Sequence, residues 1–91
     1  MNQSTVKVSI LVVDDAPDTL EVLQRNLTAR GFLVFTALGA SDALEILEST
    51  PIDLVITDYK MPGINGLDLI RHVRENVKDT EVVMITGYAS I

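Results

Sequence analysis

The chain has 91 residues, which is enough for one small domain. Hydrophobic residues make up 47% of it, with two Phe, two Tyr and no Trp, so the core must be built from aliphatic side chains. The net charge of −6 argues against a nucleic-acid or anionic-membrane surface, and the absence of Cys excludes disulfides, thiolate metal sites and cysteine nucleophiles.

Short apolar segments alternate with amphipathic segments along the chain. Segments rich in β-branched or aromatic residues predict strands, and segments with apolar residues three or four positions apart predict helices. This alternation is typical of βαβ units, so we expect an α/β fold with a parallel sheet. The first and third strands are apolar on both faces, which predicts that they are neighbours at the centre. The predicted elements are strand 7–13, helix 17–29, strand 32–36, helix 41–49, strand 52–57, helix 66–77 and strand 81–86.

Residues that favour helix ends lie at the ends of the predicted helices. Pro17 suits the first turn of the first helix, and Gly31 suits the position just beyond its end. Ser41 and Asp42 can cap the second helix, and Pro51 prevents its continuation.

Polar residues follow three of the predicted strands. Asp14 and Asp15 follow the first strand, Asp58 follows the third, and Thr86 follows the fourth. Open α/β sheets bind ligands beyond the carboxyl ends of their strands, and adjacent first and third strands would bring the three carboxylates into one small volume. Because nearby like charges oppose ionisation, we expect a cation there. Oxygen ligands with no Cys and no nearby His fit Mg²⁺ or Mn²⁺ better than Zn²⁺.

Each of these residues also has a purely structural interpretation. An acid after a strand often caps the following helix, and Asp15 or Asp18 could do so here. Thr86 could be a β-branched residue that simply ends a strand. Three acids after adjacent strands favour the cation site over capping.

The segments ILVVDD, VITDYKMPGINGLDLI and VVMITGYAS, in this order and spacing, resemble the receiver domain of bacterial response regulators. The resemblance covers residues 1–91 and implies a single, partial receiver domain. It implies a flavodoxin-like, doubly wound parallel sheet with strand order 2-1-3-4. Receivers usually continue through a fifth strand with a lysine and an aromatic switch residue, which have no counterpart here. We therefore expect a receiver truncated after its fourth strand.

The resemblance also implies a role for each site residue. Asp58 would accept a phosphoryl group from a histidine kinase, which makes the chain a phosphoacceptor rather than an enzyme. Asp15 would be the main Mg²⁺ ligand, Asp14 would assist it, and the backbone carbonyl of Lys60 would complete the protein ligands. Thr86 would supply the switch hydroxyl that turns toward the phosphoryl group.

Two other functions stay open at this stage. The chain could be a phosphorylation-independent interaction module or an inactive receiver fragment, in which the acids are structural. A metal-dependent phosphatase on a similar sheet would need a D-x-D pattern after the first strand, and Asp14-Asp15-Ala16 lacks it.

The expected partners are a sensor histidine kinase and an effector, possibly in the parent chain. The KMPG and TGYAS segments are similar to receivers attached to bacterial enhancer-binding regulators, which implies control of transcription. The fourth strand would be an apolar sheet edge, so we expect a monomer that is unstable or completed by dimerisation or swapping. The sequence starts without an apolar signal segment and has no apolar run of the roughly 18 residues that a membrane span requires, so we expect a cytoplasmic location.

Overall fold

The computed structural model describes residues 7–58, 66–76 and 79–85. Its seven elements are those predicted, and no boundary differs from its predicted position by more than two residues. Among the described residues, no helix combines the length and apolar character that crossing a bilayer requires. In chain order the elements are β1 (Ser9–Val13), α1 (Pro17–Ala29), β2 (Leu33–Ala37), α2 (Ala40–Ser49), β3 (Leu54–Asp58), α3 (Gly66–Asn76) and β4 (Glu81–Ile85).

The four strands form one parallel sheet with the order β2-β1-β3-β4. This confirms the predicted α/β fold and the predicted strand order. β1 is buried along its whole length and pairs with β2 on one side and β3 on the other. The register places Val13 opposite Thr57, so β1 and β3 end at the same edge of the sheet.

Helices cover the two faces of the sheet unequally. On one face, Leu11 and Val55 of the sheet form a buried core with α2 and α3, which includes Val73 of α3. On the other face, Ile10 and Val12 form a buried core with Leu20 of α1. α1 lies over β1 and β2. The β3 and β4 part of this face is therefore less covered: Leu54 and Ile56 are only half-buried, and Val83 is 50% exposed.

The ends of α1 agree with the prediction from the sequence, whereas the start of α2 differs from it. Pro17 lies in the first turn of α1, and Gly31 follows the helix with a φ of 98°, which favours glycine. The prediction that Ser41 and Asp42 cap α2 is wrong. α2 begins at Ala40, its N-cap is Gly39, and no side chain caps it. Ala40 is buried in the core, so packing draws the helix start ahead of both polar residues.

Hydrogen bonds join the amino ends of β1 and β3. The Ser9 N–H donates to Asp53 Oδ2 at 2.9 Å, and the Asp53 N–H donates to the Ser9 hydroxyl at 3.1 Å. The Ser9 hydroxyl lies 2.9 Å from the Pro51 carbonyl and 3.0 Å from Asp53 Oδ2. This network lies at the edge opposite the carboxyl ends of the strands, so it holds the central pair of strands at the far side from the candidate site.

Candidate functional site

Three acidic side chains meet where β1 and β3 end. Asp14 and Asp15 directly follow β1, and Asp58 is the last residue of β3. One carboxylate oxygen from each residue lies within 4.8 Å of those of the other two. Asp14 and Asp58 are half-buried, and Asp15 is exposed. The parallel pairing of β1 with β3 is what brings together residues more than forty positions apart in the chain.

Asp14 is held in place by the main chain around it. Its N–H donates to the Ala37 carbonyl at 3.1 Å, which extends the pairing with β2 by one residue. Its Oδ1 accepts the Ala16 N–H at 2.8 Å, so the chain turns directly after β1. α1 then begins at Pro17 and has no hydrogen bond from a capping side chain. The interpretation of Asp15 or Asp18 as a capping residue is therefore wrong.

The electrostatic environment opposes the ionised form of Asp14. Burial raises the pKa of the Asp14 carboxyl above its ordinary value, and the charges of Asp58 and Asp15 raise it further. A side-chain hydrogen bond with Asp15 acts in the same direction. The hydrogen bond from the Ala16 N–H lowers the pKa but does not reverse the shift. The cluster is thus a place where a positive charge relieves repulsion.

The donor set fits a hard divalent cation. Every candidate side-chain ligand in the cluster is a carboxylate oxygen, which suits Mg²⁺ or Mn²⁺. Oxygens on opposite sides of one Mg²⁺ ion are about 4.2 Å apart. The carboxylates, whose oxygens lie within 4.8 Å of one another, are therefore close to the separation that one ion needs.

Two of the predicted site residues, Lys60 and Thr86, lie outside the described residues. The ligand role of the Lys60 carbonyl and the switch role of the Thr86 hydroxyl therefore stay predictions from the sequence. The described part of the site consists of Asp14, Asp15 and Asp58.

Sequence reasoning missed one polar residue beside the site. Thr57 precedes Asp58 on β3 and is completely buried, and its hydroxyl donates to the Asp58 carbonyl at 3.1 Å. The sequence offered one signal for this residue, a hydroxyl at the end of the apolar run LVIT. The signal is weak, because the branched shape of threonine makes it common in strands whatever its hydroxyl does.

Comparison with known proteins decides the family. The family model of the response regulator receiver domain matches residues 10–91. The chain belongs to this family. Receiver domains of two-component response regulators are phosphorylation-accepting signalling modules, and the resemblance found in the sequence is thereby confirmed.

The relatives of this receiver include regulators of transcription. It is 37% identical over 81 residues to the response regulator protein PilR of Pseudomonas aeruginosa, covering 89% of this chain and 18% of PilR. It is 33% identical over 82 residues to the transcriptional regulatory protein GlrR of Escherichia coli, covering 90% of this chain and 18% of GlrR. The receiver thus spans about a fifth of the length of each of these relatives.

Solved receiver structures share the fold. TrrA of Thermotoga maritima, crystallised in complex with Mg²⁺ and BeF, superposes with a TM-score of 0.84 at 39% identity, covering 90% of this chain and 71% of TrrA. TrrA in complex with the histidine kinase ThkA superposes with a TM-score of 0.83 at 38% identity, covering 91% of this chain and 72% of TrrA.

Proposed function

We propose that this receiver accepts a phosphoryl group on the carboxylate of Asp58 in a reaction that depends on Mg²⁺ or Mn²⁺. The observation that carries the proposal is the approach of the Asp14, Asp15 and Asp58 carboxylate oxygens to within 4.8 Å of one another at the carboxyl edge of the sheet. Membership of a phosphorylation-accepting family and the Mg²⁺ and BeF complex of TrrA support it.

The donor is the phosphohistidine of a sensor histidine kinase. A carboxylate oxygen of Asp58 attacks the phosphorus atom, and a new P–O bond forms as the P–N bond to the imidazole breaks. The electron pair of the broken bond stays on the imidazole nitrogen, which takes a proton from solvent. The complex of TrrA with the kinase ThkA supports a kinase as the partner.

A bound cation would counter the negative charge of the phosphoryl oxygens. Asp15 would be its main ligand, Asp14 would assist, and Asp58 and the Lys60 backbone carbonyl would complete the protein ligands. The half-buried position of Asp14 and Asp58 makes this charge compensation stronger than it would be in open water.

The phosphoryl group then acts as the signal. It adds charge and acceptor oxygens to Asp58, and the Thr86 hydroxyl turns toward it as the switch residue. The output is control of an effector, and relatives such as GlrR point to transcription. The receiver itself is a phosphoacceptor that takes part in its own phosphorylation and dephosphorylation. A cytoplasmic location stays a prediction from the sequence.

We also propose that β4 associates with a second chain. Within the described residues β4 pairs with β3 on one side, and Val83 on this strand is 50% exposed. An apolar edge strand of this kind recruits other strands, which leads to a dimer or a swapped oligomer.

Phosphorylation by a small-molecule donor tests the assignment of Asp58. The wild-type chain, incubated with acetyl phosphate and Mg²⁺, should gain the mass of one phosphoryl group, measured by intact-protein mass spectrometry. Asp58→Ala should gain none, because the nucleophilic carboxylate is absent. EDTA should abolish the gain in the wild type.

The matched control is Asp18→Ala, which removes an exposed acid in the first turn of α1, outside the three-carboxylate cluster. This variant should be phosphorylated as the wild type is. An equal mass gain in Asp58→Ala and the wild type contradicts the assignment. A wild type that gains no mass with Mg²⁺ contradicts phosphoacceptor function.

A further inference from the structure

The buried hydroxyl of Thr57 has a place in the fold that packing alone does not account for. Thr57 is 0% exposed, and its register partner on β1 is Val13. Val55, two residues before Thr57 on β3, points to the same face as Thr57. Val13 and Val55 both belong to the aliphatic cluster under α2 and α3. Valine would fill this position with the same branching and without a polar atom. A buried hydroxyl lowers stability unless it is hydrogen-bonded, so its partner is informative.

That partner is the main chain of the candidate phosphoacceptor. The Thr57 hydroxyl donates to the Asp58 carbonyl at 3.1 Å. The bond lies where the sheet ends, because the β1–β3 register stops at Val13 and Thr57, one residue before Asp58. On the other side the register continues to Asp58 and Ile85. The hydroxyl therefore bonds to Asp58 one residue beyond the point where the pairing of β3 with β1 ends.

Fixing this carbonyl also restricts the side chain that does the chemistry. The carbonyl carbon and the carboxylate-bearing Cβ of Asp58 are both bonded to its Cα. The bond from Thr57 closes a ring that contains the N–Cα and Cα–C bonds of Asp58, so it limits rotation about both. Rotation about N–Cα would also move Cβ, so the bond restricts where the carboxylate points. To share one cation with Asp14 and Asp15, the Asp58 carboxylate oxygen must lie within about 0.2 Å of the cation's ordinary ligand distance.

We infer that Thr57 is a positioning residue for phosphoryl transfer, whose hydroxyl holds the Asp58 backbone so that its carboxylate faces Asp14 and Asp15. The inference rests on the proposed phosphoacceptor function and extends it to a residue on the opposite face of β3. Thr57 touches neither the donor nor the cation and acts through Asp58.

Two variants of Thr57 separate positioning from packing. Thr57→Val removes the hydroxyl and keeps the branched shape, whereas Thr57→Ser keeps the hydroxyl and loses a methyl group. The matched control is Thr36→Val, the same substitution on β2. Three quantities are measured on the full chain: the phosphorylation rate with acetyl phosphate and Mg²⁺, the dissociation constant for Mg²⁺ alone by calorimetry, and the melting temperature without metal.

Positioning predicts that the phosphorylation rate does not follow stability across the two variants. Thr57→Val should lower the rate and raise the Mg²⁺ dissociation constant, each by about two- to tenfold, which is the equivalent of one hydrogen bond. Its melting temperature should fall no further than that of Thr57→Ser, because it loses one hydrogen bond but keeps the packing. Thr57→Ser should melt lower, since it leaves a small cavity, yet retain the wild-type rate. Thr36→Val should retain the wild-type rate and affinity.

The possible failures are distinguishable. A wild type that gains no phosphoryl group contradicts the proposed function and the inference together. A phosphorylated wild type with an unchanged rate and affinity in Thr57→Val overturns the inference alone. The inference is also overturned if Thr57→Val is unfolded, if the rates of the two variants fall in step with their melting temperatures, or if Thr57→Ser does not retain the rate.

Discussion

At the scale of single residues, Asp14 is under opposing influences. It accepts the Ala16 N–H, which stabilises its carboxylate, while burial and the charges of Asp58 and Asp15 favour the protonated form. Burial and the two charges outweigh the hydrogen bond, so the pKa of Asp14 is raised. When a cation is bound, the Asp14 carboxylate must both accept the Ala16 N–H and face the cation. Asp14 therefore links local chain geometry to the charge state of the site.

This shift gives a prediction for the metal-free chain. Since the pKa of Asp14 is higher in the folded chain than in the unfolded one, the folded chain binds this proton more tightly. The stability that Asp14 contributes is present below the ordinary carboxyl range and is lost as the pH rises through the raised pKa. We expect the free energy of unfolding of the wild type to fall relative to that of Asp14→Asn over this window. Urea denaturation with EDTA at a series of pH values measures it.

The asparagine variant is a close control, because its amide oxygen can still accept the Ala16 N–H. A difference between the two proteins that is independent of pH, or that grows in favour of the wild type as the pH rises, contradicts this account. Added Mg²⁺ should stabilise the wild type more at the upper end of the window, since the cation binds the ionised carboxylate.

The sequence was a good guide to residues that end strands and a poor one to residues that act through hydrogen bonds. Asp14, Asp15 and Asp58 were placed together because parallel strands end at one edge. The bond from Ala16 to Asp14 and the bond from Thr57 to Asp58 depend on individual dihedral angles, which no residue pattern reveals. Capping by Asp15 or Asp18 was a reasonable expectation, but no side chain caps α1, and Asp14 instead accepts the Ala16 N–H in the turn before it.

At the scale of elements, the central pair of strands is fixed at its amino ends by side chains. The buried Ser9 hydroxyl has one proton and two acceptors within reach, the Pro51 carbonyl and the Asp53 carboxylate. It also accepts the Asp53 N–H. Ser9, the first residue of β1, and Asp53, which precedes β3, are thus joined although they are 44 positions apart in the chain.

Removing the Ser9 hydroxyl should destabilise this junction. In Ser9→Ala the Asp53 N–H loses a partly buried acceptor, and we expect a loss of about 1–3 kcal/mol in the free energy of unfolding. Ser49→Ala is the matched control, because Ser49 is exposed and bonds only to neighbouring residues of α2 and Thr50. It should change stability by less than about 0.5 kcal/mol. Urea denaturation of both variants measures the difference, and equal losses contradict a special role for Ser9.

Strands and helices were predictable because their apolar spacing reflects burial. The start of α2 was not predictable, because side-chain capping and core packing favour different first residues. Ser41 and Asp42 are good caps by residue type, but the buried Ala40 belongs to the core and forms the first turn. Core packing therefore decides where α2 begins, and Asp42 remains in the first turn, where its charge still favours the helix.

At the scale of the whole molecule, the sheet is covered more completely on one side than on the other. α2 and α3 share one face, while α1 covers mainly the β1 and β2 half of the opposite face. The register places Val83 beside Ile56 on the less covered half. The exposed apolar surface thus lies next to the β4 edge, where a second chain would add its strand.

Association through β4 should be visible in solution. We expect the average mass of the wild type, measured by light scattering, to rise with concentration beyond that of a monomer. Val83→Lys should reduce this association, because a charged lysine on an edge strand disfavours strand addition. The control is Val22→Lys on α1, where a valine of similar exposure, 52% against 50%, is replaced. A wild type that is monomeric at all concentrations and melts cooperatively contradicts the proposal.

The central position of β1 also has a consequence for how the protein is made. The ribosome produces β1 first, and β2 soon follows to pair with one of its edges. Its other edge must wait for β3, whose first residue, Leu54, comes 45 positions after Ser9, the first residue of β1. At about 5–20 residues per second, that wait lasts roughly 2 to 9 seconds. During synthesis, one edge of this fully buried strand therefore stays unpaired and open to chaperones until β3 emerges.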